Sequence, residues 1–369
     1  MTNRITAIIL IVILLAVPLL SLAQKGRDGS FDLDISGGAK EVPPQLDALI
    51  AENIPFRRAM ERIENALLTF GGKSEFDGIF MTDGDLIENY RPDEENGISE
   101  NLRRILQLIS MGQMPSYVML IPTECVVLQE KVPGLAPIFN QKTLIDTVYG
   151  AVQGSAVTVD AYGALFRNRY KYIYYNSHPL PTSFGGYYLY REAMDRLGGQ
   201  PNELSEYEVS YAGYGFYGSL YERVPMDGAK SDMIALYKYT SYDRRHNVTH
   251  YYGRGQSYTY DRLFIPEFES SDDKTDIIFG GLSPVMTIES DAPSTDSLLI
   301  FGDETAKSYV PFLADHYAKI TVVMAEELTP ELARLLSPDE YRQVLFAFSV
   351  ATLAGKDSLL PLELLFGTE

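Results

Sequence analysis

The sequence predicts an α/β protein: a three-layer sandwich around a mostly parallel sheet, with a Tyr-rich antiparallel β insertion. Three observations predict it. Short, almost wholly apolar runs alternate with segments of helical period, and strands without a polar face belong in a sheet covered on both sides. A chain of 369 residues, 46% hydrophobic and 22% charged, can bury one large core or about two ordinary ones. Between residues 201 and 274 the alternation stops, and tyrosines from Tyr207 to Tyr260 crowd among Gly-containing turns.

Each element follows from its residues. Arg4 precedes an apolar run over 5–22, interrupted by Thr6, Pro18 and Ser21, and Ser21-Leu22-Ala23 supplies small residues at signal-peptidase spacing. Residues 1–23 therefore read as a signal peptide or an uncleaved membrane anchor, with the body extracytoplasmic and either membrane-anchored or secreted. Residues 24–45, with Gly37-Gly38 and Pro43-Pro44, read as a linker. A helix is expected over 46–68, stopped at Gly71-Gly72. Then come a strand over 78–87, a helix over 99–111, a strand over 117–121, a helix over 141–152, and strands over 156–159 and 172–175. The next helix spans 182–197. Thr182-Ser183 cap it, and Tyr187, Tyr190, Met194 and Leu197 form its apolar stripe. After the insertion follow a strand over 298–301, a helix from about Asp303, a strand over 320–324 and a helix over 330–336 opened by Thr329-Pro330. A strand over 344–348 precedes a last apolar segment. Residues 46–200 and 275–369 thus form the α/β domain, and 201–274 the insertion.

Composition excludes several functions. With 31 basic and 50 acidic residues the formal charge is −19, which argues against nucleic acid, whose binding rests on neutralised phosphates. The single Cys125 rules out an intrachain disulfide framework and a Cys-rich zinc site. Its neighbours Glu124 and Val126 provide no basic environment, so it reads as a small buried hydrophobe. The four histidines are His178, His246, His250 and His316. His246 and His250 lie in a strand-like stretch, where a four-residue spacing merely shares a face. No metal and no cofactor is expected. The tyrosines have two readings. Aromatic residues are ordinary strand formers, and tyrosine also offers a carbohydrate a flat apolar face with a hydroxyl.

A strand–Gly-Asp-Ser–helix junction would place a nucleophilic serine at a helix start. This chain reads Gly302-Asp303-Glu304-Thr305, with glutamate at the serine position. A carboxylate there is electrostatically comfortable without a catalytic role.

Four segments resemble the DHHW family of exported bacterial proteins, whose fold is SGNH-hydrolase-like. Gly78-Ile79-Phe80-Met81 to Leu86-Ile87 is similar to its early strand, and Tyr117 to Thr123 with Lys131-Val132-Pro133 to its strand-and-Pro-Thr segment. His178-Pro179-Leu180-Pro181-Thr182-Ser183-Phe184-Gly185 falls where the family carries Asp-His-His-Trp followed by Thr-Ser-Leu-Gly. Phe301-Gly302-Asp303, with Ser308 to Leu313 and Asp315-His316-Tyr317, resembles its serine block. The departures fall on the chemistry. His178 occupies the signature aspartate, Pro179 and Leu180 the histidines, Pro181 the tryptophan and Glu304 the nucleophile, while Gly280-Gly281-Leu282-Ser283 replaces an oxyanion-type segment. An acyl-transfer site needs a nucleophile, a base and an orienting acid. No residue is therefore assigned as catalytic, and His178, Asp303, Glu304, Thr305 and Ser283 are candidates for a vestigial cleft. The resemblance implies a degenerate accessory or glycan-binding protein in surface-polysaccharide modification. Its implied partners are a surface polysaccharide, a membrane-bound O-acyltransferase, and the membrane itself through the N-terminal segment. An active O-acetyltransferase or esterase with a rearranged site and a purely structural envelope protein are the alternatives.

Overall fold

A computed structural model describes Arg62, Asn65 and residues 74–366, apart from 94, 242–243 and 338–339. The expected signal or anchor over 1–23, the linker over 24–45 and most of the helix over 46–68 lie outside the described residues. Among the described residues no helix is long and apolar enough to cross a membrane. Two compact units divide the chain, and the fold below is that of the larger, Ser74–Val224 with Gly228–Glu369.

In chain order the strands are β1 (Glu75–Phe76), β2 (Ile79–Thr82), β3 (Asp85–Glu88), β4 (Ser116–Ile121), β5 (Val157–Val159), β6 (Tyr207–Phe216) and β7 (Asp232–Tyr239). They continue as β8 (His246–Gly253), β9 (Gln256–Tyr260), β10 (Val285–Ser290), β11 (Ser297–Gly302), β12 (Lys319–Met324) and β13 (Gln343–Ser349). The longer helices are α1 (Ile98–Met111), α2 (Gln141–Val152), α3 (Ala161–Arg167), α4 (Ser183–Leu197) and α5 (Ala306–Leu313). An eight-stranded sheet runs in the order β5-β4-β13-β11-β12-β10-β8-β9. The ladders from β5 to β12 are parallel, and those joining β12, β10, β8 and β9 are antiparallel.

Alternating side chains explain the three layers. Met119, Ile121, Ile300, Ile320, Val322 and Leu345 share a core with α3, α4 and α5. Val118, Leu120, Leu299, Phe301, Val323 and Phe346 share the opposite core with α1 and α2. Because both faces are covered, the interiors of these strands are almost wholly apolar, with Thr321 of β12 the buried polar exception. The helices begin where polar side chains take up free amides. Thr182 Oγ1 accepts from Gly185 N at 3.1 Å to start α4, which ends at Gly198 in the left-handed region (φ 85°). On the buried face of α4, Gly186 lets the backbone lie directly on Ser308 of α5.

Five expectations change. The strand over 78–87 is instead the hairpin β2–β3, part of a separate sheet β1-β2-β3. Asp83 (φ 51°) and Gly84 (φ 85°) turn the chain there, the two-residue pattern of a type I′ turn. The strand over 172–175 is reduced to one bridge, Tyr174 to Pro181, because Pro179 and Pro181 have no N–H for a ladder. The helix expected from Asp303 starts at Ala306, since the Asp303 carboxylate takes the Thr305 amide outside any helical bond. The helix over 330–336 stops at Ala333. The Tyr-rich segment divides: β6 and β7 pair with each other, while β8 and β9 extend the central sheet beyond β10. His246 and His250 both lie on β8, buried on one face.

Candidate functional site

In open α/β sheets, sites form beyond the carboxyl ends of the parallel strands. Here β11 ends at Gly302 and delivers Asp303, Glu304 and Thr305. Buried Asp303 fastens this corner. One carboxylate oxygen accepts the Thr305 amide at 3.0 Å and the Thr305 hydroxyl, and the other accepts the Ser349 amide at 2.6 Å, where β13 ends. The Thr305 hydroxyl is thus committed to a carboxylate rather than poised to attack.

Glu304 keeps an exposed edge. Crowding out of water raises its carboxyl above the ordinary range, with Asp273, Asp303 and Asp276 adding to the rise and Lys307 opposing it. One turn further, Lys307 is buried. Its Nζ donates to Asp276 Oδ1 at 2.7 Å, Thr275 Oγ1 at 2.9 Å and Asp273 Oδ2 at 3.0 Å. Burial alone would lower the ammonium, but Asp273 and Asp276 outweigh it and the net shift is upward. Asp273 also accepts from the Thr275 amide and hydroxyl. An ion cluster therefore fills the space beside the helix start.

His178 lies close enough to feel Asp273 and Lys307, as Glu304 does. Both candidates share the field of that cluster, and Asp303 precedes Glu304 in the chain. Yet among the described residues no hydrogen bond joins His178 to Glu304, Thr305 or Ser283. His178 Nδ1 accepts the Ser219 amide at 3.3 Å and lies 3.2 Å from the Ser219 hydroxyl. The neutral ring then carries its proton on Nε2, which is buried without a partner. Such an orphaned donor costs about 1–3 kcal/mol. Burial lowers the imidazole to about 4, with Asp273 opposing and Lys307 reinforcing.

That shift makes a pH prediction. A folded value below the unfolded 6.5 or so means the unfolded chain takes up the proton first. Its stabilising contribution is complete above about pH 6.5 and is lost as the pH falls through about 4. Urea midpoints measured over that window should fall less steeply for His178→Gln than for the parent; identical slopes would show that His178 is not held neutral.

Ser283 is not brought to this corner. Its hydroxyl donates to the Val285 carbonyl at 2.8 Å and lies 3.1 Å from His250 Nδ1, while His250 Nε2 bonds the Phe279 carbonyl at 2.9 Å. Both residues are fully buried and tie the Gly280-Gly281 turn to β8. Three functional-looking carboxylates lay beyond sequence reasoning. Asp273 and Asp276 hold Lys307. Buried Asp232 accepts from Tyr172 Oη, the Asn176 and Ser177 amides and Ser177 Oγ, and so fixes the loop carrying His178. The Ser177 hydroxyl accepts the Gly218 amide in turn, which sets Ser219 against His178. Cys125 is buried, and burial followed by the charge of Glu124 pushes its thiol up to about 11. It is inert.

Among the described residues no cluster of ligating side chains fits a metal ion. A cavity of about 630 Å³ lies at the other end of the sheet, where Ser116 opens β4 and Val344 stands near the start of β13. Its lining from Leu108, Met114, Leu336 and Tyr341 offers no converging catalytic groups.

Comparison with solved structures decides the fold. A DHHW family protein from Eubacterium siraeum superposes with a TM-score of 0.61 at 18% identity, over 80% of this chain and 98% of that one. The fold is the DHHW-type fold. PatB1 of Bacillus cereus gives a TM-score of 0.63 at 17% identity, over 76% of this chain and 98% of its own, and PatB1 has also been solved with a sulfonyl adduct. No family model and no curated protein matches the sequence. On this fold the chain carries a strand–Gly-Asp corner with a carboxylate, Glu304, directly after it.

Proposed function

We propose that the chain is an extracytoplasmic protein of the DHHW-type fold whose acyl-transfer site is degenerate, acting as an accessory or glycan-binding protein in surface-polysaccharide modification. One observation carries the reading. After Asp303, Glu304 stands where the family resemblance implies a serine, and buried Lys307 forms an ion cluster with Asp273 and Asp276 one turn on. Ester transfer needs a nucleophile, a base within hydrogen-bond reach and oxyanion donors. Thr305 donates to Asp303, and His178 faces neither Glu304 nor Thr305. The apolar run over 5–22 supports export, and protection from protease added to intact spheroplasts would rule it out. A membrane-bound O-acyltransferase is the proposed partner in that setting.

The expected result is no measurable turnover of p-nitrophenyl acetate and no labelling by a fluorophosphonate. Glu304→Ser alone should restore neither, because no base reaches the new hydroxyl. One contact favours an active, rearranged site: the Ser219 hydroxyl lies 3.2 Å from His178 Nδ1. The same contact, with the Ser219 amide, serves to cap a one-turn helix. Hydrolysis abolished by Ser219→Ala or His178→Ala would establish the active site and discard the degenerate reading.

A further inference from the structure

The cavity near the His178 loop has a construction that strand formation does not explain. It measures about 330 Å³, in the range of small-molecule pockets, and Tyr172, Asn176, Tyr214, Gly215, Asp232 and Met233 line it. Tyr214 is 65% exposed. It does not stand in the regular ladder of β6 and β7, whose register breaks between Ala212 and Phe216. Flanking Gly213 (φ 62°) and Gly215 (φ 70°) adopt left-handed backbone, so a Gly-Tyr-Gly bulge lifts the ring outward. Strand propensity accounts for tyrosines within a ladder. It does not account for one raised out of it.

The facing wall is rigid. Tyr172 donates its hydroxyl to Asp232, which is also bonded to the loop amides of Asn176 and Ser177. Its ring orientation is therefore fixed before anything binds, which removes an ordering cost. Met233, half-exposed, extends the apolar side. The Asn176 carboxamide makes only a 3.5 Å contact with the Ser231 carbonyl and remains able to donate and accept. Two aromatic faces, an apolar flank and one adaptable amide match a ring with an apolar face and equatorial hydroxyls.

Charge narrows the class. Neither lysine nor arginine lines the cavity, and the oxygens of Asp232 are already engaged by four donors. The formal charge of −19 repels polyanions. We infer that the cavity between Tyr172 and Tyr214 is a subsite for a pyranose unit of an uncharged glycan. The inference rests on the glycan-binding reading above and gives it a location separate from the degenerate corner.

The test titrates the full chain, in detergent, with cellohexaose, chitohexaose and a mannuronate hexasaccharide. The chain has no tryptophan, so tyrosine emission reports binding beside calorimetry. The parent should bind an uncharged hexasaccharide, Tyr214→Ala should weaken that binding about tenfold, as loss of one buried aromatic face implies, and Tyr214→Phe should retain it. Met233→Ala, on β7 across from the Gly-Tyr-Gly bulge, should weaken it as well. Binding left intact by both Tyr214→Ala and Met233→Ala would remove the subsite while leaving a glycan-binding protein. Equal affinity for the mannuronate hexasaccharide would overturn the uncharged class. No binding by the parent to any of the three would overturn both the subsite and the reading beneath it.

Discussion

Gly186→Ala should destabilise the protein by about 3 kcal/mol or more, read as a lowered urea midpoint at unchanged slope. A methyl group on Gly186 would stand 1.9 Å from the Ser308 carbonyl oxygen and 2.2 Å from its carbon. Both atoms are backbone, so no rotamer change relieves the clash. The helices α4 and α5 would have to separate, and the rings buried between them, Tyr187, Tyr190 and Phe312, would lose contact together. Gly134→Ala is the control. A methyl there meets nothing within 4 Å at an exposed position, and the change should stay within about 0.5 kcal/mol. Equal midpoints for the two variants would show that α4 and α5 do not pack this closely.

Lys307→Met should cost about 2–4 kcal/mol. Removing one member of a buried ion cluster leaves its partners desolvated and unpaired, which costs about 3–5 kcal/mol when all are buried. Partial exposure of Asp273 (34%) and Asp276 (29%) reduces the figure. Acid should narrow the difference. Burial alone would raise Asp273, but Lys307 and the Thr275 bonds outweigh it and hold the carboxyl below its ordinary value. A depressed carboxyl stabilises the fold above the unfolded value near 4 and loses that contribution as the pH falls through the folded value. The variant lacks the ammonium, so its deficit should be full at pH 7 and shrink below about pH 4. A deficit unchanged into acid would mean that Lys307 matters by packing alone.

The legible parts of the fold are those whose cause is local. α4 could be read because Thr182, the aromatic stripe and Gly198 all lie within its own span. The strands β11, β12 and β13 could be read because burial on both faces leaves runs of mostly apolar residues between polar ends. The hairpin β2–β3 was equally local, and its signal was present in Asp83-Gly84, the dipeptide a type I′ turn favours; the flanking apolar run masked it. Asp77-Gly78 carries the same signal between β1 and β2. The attachment of β8 and β9 to the central sheet was not legible, since the pairing partner of an edge strand leaves no mark on its pattern. At the candidate site, Asp303 and Glu304 could be located from a strand–Gly–helix junction. The ion cluster could not, because Lys307 meets Asp273 and Asp276 across 34 and 31 residues. Nor could Asp232, whose role depends on amides 55 and 56 residues before it.

The position of β13 has a consequence for how the chain acquires its structure. Residues 116–121 and 297–302 run in adjacent parts of one sheet, yet they touch only through β13, which spans 343–349. Until that strand is in place, β4 and β11 each present an unpaired apolar edge, the kind of surface that recruits other chains. The closing contacts join residues more than two hundred positions apart, so loop-closure entropy is paid before the pairing returns it. A nascent chain lacking β13 is therefore an open, sticky intermediate rather than a smaller folded protein. That lateness sets the order of assembly: the two halves of the parallel sheet stay apart until β13 has been made and inserted between them.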